Sequence, residues 1–176
     1  MKKKPRKRPE WDSFYLAQAF LVSDRSLDPD TQHGCIIVSR DNRPLSSACN
    51  GPLKGSNDEE IPMERPDKYP YMIHAEENSV IFYSGSNYDI DGATAYVTGR
   101  PCHRCLRMLI QKGIRRIVYA NIQSGCVDEE DLEAQRKLLG ARKNKDVVVE
   151  MYPHKEKIAA VIKGRLKYLE ERVADD

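Results

Sequence analysis

The chain has no apolar run near the roughly 20 residues that a membrane-spanning helix needs. Its first residues carry no apolar leader either, so the sequence reads as that of an intracellular protein. Aromatics are scarce at 7%, with a single Trp. Cysteines number only five, an odd count, which speaks against a disulfide framework and for metal or reactive thiols. Charge of one sign is also lacking: the net formal charge is +2 although 32% of residues are charged. A balanced surface weakens the case for a broad nucleic-acid groove.

What positive excess exists is gathered at the start, in Lys2, Lys3, Lys4, Arg6, Lys7 and Arg8. Such a run suits nucleic acid or nuclear import, and equally a solvated tail over residues 1–10. The remaining 11–176 have the length and apolar content of one domain.

Segment 11–26 reads as a helix with Trp11, Tyr15 and Val22 on its apolar stripe. Residues 34–39 and 45–49, separated by a turn sequence, make a hairpin. Positions 50–73 are rich in Gly, Pro, Asn and Asp and read as a long loop, more often functional than idle at that length. From there helices starting near His74, Cys102 and Asp128 alternate with strands over 93–98, 115–120 and 146–152. A last helix spans about 155–172, with Ile158, Ile162, Leu166, Leu169 and Val173 on one face. Strands joined through helices run parallel. The expected fold is a three-layer α/β/α sandwich, its mixed sheet carrying an N-terminal hairpin and parallel later strands.

Two short motifs carry chemistry. "HAE" places His74 and Glu76 at the start of one helix, and "PCHRC" places Cys102 and Cys105 in the first turn of another. Alone, C-x-x-C is ambiguous between zinc, redox work and chance, and a lone His is more often a cap. Helix N-termini in an α/β sheet, however, point to one edge. One His and two Cys then make three zinc ligands with a fourth position left for solvent, the arrangement of catalytic zinc. His103 lies between the cysteines and is expected to point away; His33 and His154 are distant in sequence. Zinc brings the pKa of its water toward about 7, and Glu76, two residues past a ligand, is placed to take and pass that proton. Glu77 suits the simpler part of a favourable charge in the first helical turn.

These motifs, together with "DRSLDPDTQHGCIIV", "KYPYMIHAEENSVI" and "LIQKGIRRIVY", resemble the zinc-dependent cytidine and deoxycytidylate deaminases, most of all the deoxycytidylate (dCMP) branch. The resemblance covers about 11–153. It implies zinc on His74, Cys102 and Cys105, Glu76 as proton shuttle, and hydrolysis of dCMP to dUMP and ammonia. It implies substrate contacts from Asn50, Arg25, Ser26 and Ala75, with Arg25 and Ser26 near the phosphate. It implies a homo-oligomer, a hexamer or a dimer, with dCTP and dTTP as effectors, in the cytoplasm, or in the nucleus if the basic tail acts as an import signal. The alternatives it leaves are a deaminase of another small base and a tRNA-editing deaminase. Four departures stand out: His33-Gly34-Cys35 where the branch has Val-Gly-Ala, Ala48-Cys49 before Asn50, Gly99-Arg100 before Pro101, and a missing Tyr in "NIQSGC". The first two fall near the expected base and sugar pocket.

Overall fold

The computed structural model describes residues 4–122 and 125–172. Lys2, Lys3 and Val173 lie outside the described residues. The first helix, α1, runs Trp11–Ser23, followed by β1 (Gly34–Val38), β2 (Pro44–Cys49), β3 (Gly51–Pro52) and β4 (Met72–Ile73). Then come α2 (Ala75–Ile81), α3 (Asn87–Ile90), β5 (Thr94–Gly99) and α4 (His103–Lys112). The chain continues through β6 (Arg116–Ile122), α5 (Glu129–Gly140), β7 (Val148–Met151) and α6 (Lys155–Glu170).

Five strands form one sheet in the order β2-β1-β5-β6-β7. β1 is antiparallel to both neighbours, while β5, β6 and β7 are parallel. The expected hairpin at one edge and the parallel crossovers are therefore both present. Alternating side chains feed two apolar layers. Cys35, Ile37, Ala95, Val97 and Ile117 pack with Leu106 and Leu109 of α4 on one face. Ile36, Val38, Tyr96, Val118 and Ala120 pack with α1 and with Ile158 of α6 on the other. With every sheet face covered, truncating a side chain such as Leu109 costs about 2–5 kcal/mol.

Three local readings change. The buried side of α1 holds Tyr15, Leu16, Ala17 and Ala19, because this helix meets the sheet on one side and α6 on another. Trp11 is exposed and Val22 half-buried, so the expected stripe is displaced toward Leu16 and Ala19. The helix also stops at Ser23, three residues early. On α6 only the first part of the apolar face is covered: Ile158 is buried, whereas Leu166 and Leu169 are exposed. The long 50–73 loop is pinned at its base, since Gly51 pairs with Ile73 and Pro52 with Met72.

Charged pairs tie the ends of this frame. Arg116 grips Asp12 through two bonds of 2.7 and 2.8 Å, and the Tyr96 hydroxyl donates to the same carboxylate at 2.9 Å. The Arg116 guanidinium holds the Asp12 carboxyl below its ordinary value, against the upward push of burial. Glu10 accepts from Lys157 at 2.8 Å, fixing the start of α1 to α6.

Candidate active site

Two helix starts build the centre. His74 follows the short β4 strand and takes an extended backbone (φ −70°, ψ 154°) as the N-cap residue of α2. Cys102, after Pro101, does the same for α4 (φ −70°, ψ 165°). Neither side chain caps its own helix, although N-cap side chains commonly do. Both are turned to a shared point instead. His74 Nδ1 lies 3.3 Å from Cys105 Sγ and 3.7 Å from Cys102 Sγ. Donors on a tetrahedral zinc at about 2.0–2.3 Å sit about 3.5 Å apart, so this donor set and spacing fit the ion.

Each start is held from behind. On α2, Asn78 Nδ2 donates to the Cys49 carbonyl at 3.0 Å and Ser79 Oγ to the Cys35 carbonyl at 3.1 Å, docking the helix onto the hairpin. On α4, His103 points away from the centre as expected, with Nδ1 2.6 Å from Asp131 Oδ1. That oxygen also accepts the His103 N–H at 2.9 Å. Gln135, buried on α5, donates to the Pro101 carbonyl at 2.9 Å and accepts from Arg100 at 3.1 Å. Asp131 and Gln135 stand four apart on one face of α5, a spacing that gives no sign of which helix end it will meet.

Glu76 is buried and lies within 4.8 Å of the donor atoms of His74 and Cys105. Burial pushes its carboxyl up to about 6, opposed by the charge of His74. Glu77, the neighbour assigned to the helix dipole, is exposed. The Cys102 thiol is held low, first by its hydrogen bond from Cys105, then by one from Cys126, with His74 adding to both. Cys126 is a site residue that the motif reading does not contain: its sulfur lies within 4.8 Å of the His74 and Cys102 donors. It is exposed, on the segment between β6 and α5.

The pocket over this centre is lined by His33, Asn50, Ala75, Arg65, Lys68 and Arg100, among others, together with Glu76, His74 and Cys102. Asn50 and Ala75, two of the expected substrate contacts, both line it. Asn50 already spends part of its capacity on the frame: its Oδ1 accepts the His33 N–H at 2.8 Å, and its Nδ2 donates to the Thr31 carbonyl at 3.0 Å. Arg25 and Ser26 are not among the lining residues. The chain turns after α1, with Ser26 Oγ accepting the Asp28 N–H at 3.3 Å, and it is Asp28 that reaches the pocket.

Lys68 is a buried cation of the pocket. It is 2% exposed, with Nζ 2.8 Å from Asp28 and 2.9 Å from Asp30. Burial raises the Asp28 carboxyl, yet Lys68 and two backbone N–H groups outweigh it and leave the group below its ordinary value. Burial likewise lowers Lys68, and the two carboxylates reverse that. Arg65 donates to Thr31 Oγ1 at 2.6 Å, and Arg100 lies over the Tyr119 ring with its centre 5.6 Å away.

His33 Nδ1 lies 3.0 Å from Thr98 Oγ1. Burial, helped by the nearby His74, lowers its pKa to about 4, so the ring is neutral at pH 7.

Residues 9–121 match the family model of the cytidine and deoxycytidylate deaminase zinc-binding region. A deoxycytidylate deaminase of Homo sapiens is 34% identical over 116 residues, covering 62% of this chain and 64% of that protein. The mouse protein of the same name is 33% identical over 135 residues, 73% of this chain and 74% of its own length. Thus the chain spans slightly under two thirds of the human relative. Among solved structures, the dCMP deaminase of cyanophage S-TIM5 in complex with dCMP and dUMP superposes with a TM-score of 0.66 at 25% identity, covering 84% of this chain and all of that one.

Proposed function

This chain belongs to the cytidine and deoxycytidylate deaminase zinc-binding family, and from that premise we propose that it hydrolyses dCMP to dUMP and ammonia. The observation that carries the reading is a buried carboxyl, Glu76, set among His and Cys metal donors at the wall of a pocket. A structural zinc site has no use for such a group, whereas a hydrolytic one needs a proton carrier there.

His74, Cys102 and Cys105 would hold the zinc. When bound, that ion acidifies water and so supplies a nucleophile at neutral pH. Glu76 takes the proton from the water and delivers it to the ring nitrogen beside the amino-bearing carbon. It then takes the remaining proton from the added hydroxyl, which becomes the ring carbonyl, and passes it to the amine, which leaves as ammonia. One C–O bond forms, one C–N bond breaks, and no oxidant or reductant is used. A buried carboxyl beside the donors can both accept and return a proton.

Ala75 and Asn50 contact the base and sugar side of the pocket, and Arg65 and Arg100 supply the positive charge for the phosphate. This role passes from Arg25 and Ser26, which lie outside the lining residues. The same proposal includes one deaminase domain over 11–176 and a homo-oligomer. An apolar groove between α1 and α6, lined by Trp11, Phe14, Leu21 and Leu166, supports the latter. Regulation by dCTP and dTTP, and a cytoplasmic location where free nucleotides are found, complete it.

The test is ammonia release from a panel of dCMP, CMP, deoxycytidine, guanine and a tRNA anticodon stem. Release from dCMP above the others is expected. Release from the RNA alone would contradict the proposal.

A further inference from the structure

His33 is held more firmly than a pocket residue with no task requires. Its N–H donates to Asn50 Oδ1 at 2.8 Å, and its carbonyl accepts the Asn50 N–H at 3.1 Å. The ring fills space that only a glycine leaves open: a Cβ on Gly99 would come within 2.5 Å of His33 Cε1. Thr98 fixes the ring's orientation. Thr98 is fully buried, and its Oγ1 already accepts the Gly34 N–H at 3.1 Å. Among the described residues its hydroxyl hydrogen has one acceptor within reach, His33 Nδ1 at 3.0 Å, and a buried hydroxyl donates where it can. With Nδ1 accepting, Nε2 carries the hydrogen of the neutral imidazole, and in the imidazolium it carries one too.

That Nε2–H is buried and has no hydrogen-bond partner among the described residues. Buried donors are rarely left so, and this one belongs to a residue lining the pocket that holds His74 and Glu76. We infer that His33 Nε2–H is a substrate-recognition donor that binds the carbonyl oxygen of the pyrimidine ring. This inference rests on the nucleotide-deaminase reading above and adds the residue that chooses the base. Cytosine offers a ring carbonyl; adenine offers none, so an adenine in the same place would leave the donor unpaired. Gly99 is its companion, since any larger residue there displaces the ring.

The experiment compares steady-state kinetics of wild type, His33→Val and His33→Gln on dCMP and on its 2′,3′-dideoxy analogue, with zinc content and melting temperature recorded for each. His33→Val is expected to lower kcat/KM on dCMP about tenfold, mostly through KM, as loss of one hydrogen bond does. His33→Gln, whose side-chain amide N–H reaches a similar point, is expected to recover most of it. The loss is expected to persist on the dideoxy analogue; its disappearance there would move the contact to the sugar hydroxyl and overturn the base assignment. An unchanged kcat/KM in a folded, zinc-loaded His33→Val protein, or a Gln variant no better than Val, would also overturn it. The imidazole ¹⁵N spectrum of wild type gives a readout that needs no variant: the His33 Nε2–H resonance shifts on adding dUMP if the inference holds and stays in place if it does not. Wild type that releases no ammonia from dCMP would instead overturn the underlying reading, and this inference with it.

Discussion

The donor cluster and the rim of the pocket are built on opposite principles. Four residues of the cluster come from two short motifs, each placed by a single helix start. The rim is held by pairs far apart in sequence: His33 against Gly99, Asn50 against Thr31, Lys68 against Asp28. The first arrangement needs only helix geometry and a properly docked axis. The second needs the loops at 24–33 and 50–73 to close on one another before any of its contacts exist. On the proposed function, chemistry belongs to the local part and choice of substrate to the non-local part.

Substitutions can separate the two. The largest effect is expected for Glu76→Gln, which removes the proton carrier and leaves the donors intact. kcat should fall about 10³-fold, or about 4 kcal/mol of barrier, with zinc content unchanged; activity within tenfold of wild type would deny Glu76 its role. Next comes Lys68→Met, which strands the buried Asp28 carboxylate. Stability to urea should drop by about 3 kcal/mol.

The pair also has a pH signature. The Asp28 carboxyl lies below its ordinary 3.8 in the folded chain, so its stabilisation is present above that value and is lost as acid takes the pH down through the folded value. Lys68 lies above its ordinary 10.5, so its part is present below that value and is lost as the pH rises through the folded value. The deficit of Lys68→Met should therefore be flat near neutrality and shrink in acid, where Asp28 is protonated. Urea titrations from pH 2.5 to 8 check this.

Smaller effects sharpen the same division. Gln135→Ala removes the bond to the Pro101 carbonyl and loosens the start of α4, at a cost of about 1 kcal/mol in stability and roughly tenfold in zinc affinity. Competition with a colorimetric chelator measures the latter. Removing residues 1–9 should change stability by less than about 0.5 kcal/mol and activity by less than about twofold on the same view of the tail as surface. Glu10, which accepts from Lys157 and from the Tyr152 hydroxyl, remains in that variant. A large loss would assign the basic tail to the site or to the assembly.

The difference between the two regions also explains what could be read before folding. H-x-E and C-x-x-C state their own geometry, because two or three residues at a helix start converge whatever surrounds them. The apolar run over 34–39 marked a strand in the same way, though not which layer each side chain enters. By contrast, His33 and Gly99 look like two unrelated departures from the family pattern until the ring is seen occupying the space that the glycine leaves. Lys68 carries no local sign that it will be buried between two carboxylates. Cys126, outside any spacing motif, reaches the cluster only because β6 delivers it there. The stripe on α1 shifted because that helix packs on two partners, and a single-face pattern cannot encode both. Arg25 and Ser26 were carried by resemblance to a segment whose turn brings Asp28, not them, to the pocket.

The central claim is that the ion rests on one imidazole and two helix-borne thiolates with one position left to solvent. Zinc-edge X-ray absorption on the metal-loaded protein tests it directly. The account predicts two sulfurs, one imidazole nitrogen and one further light atom. Three sulfurs, with Cys126 filling the last position, would contradict it.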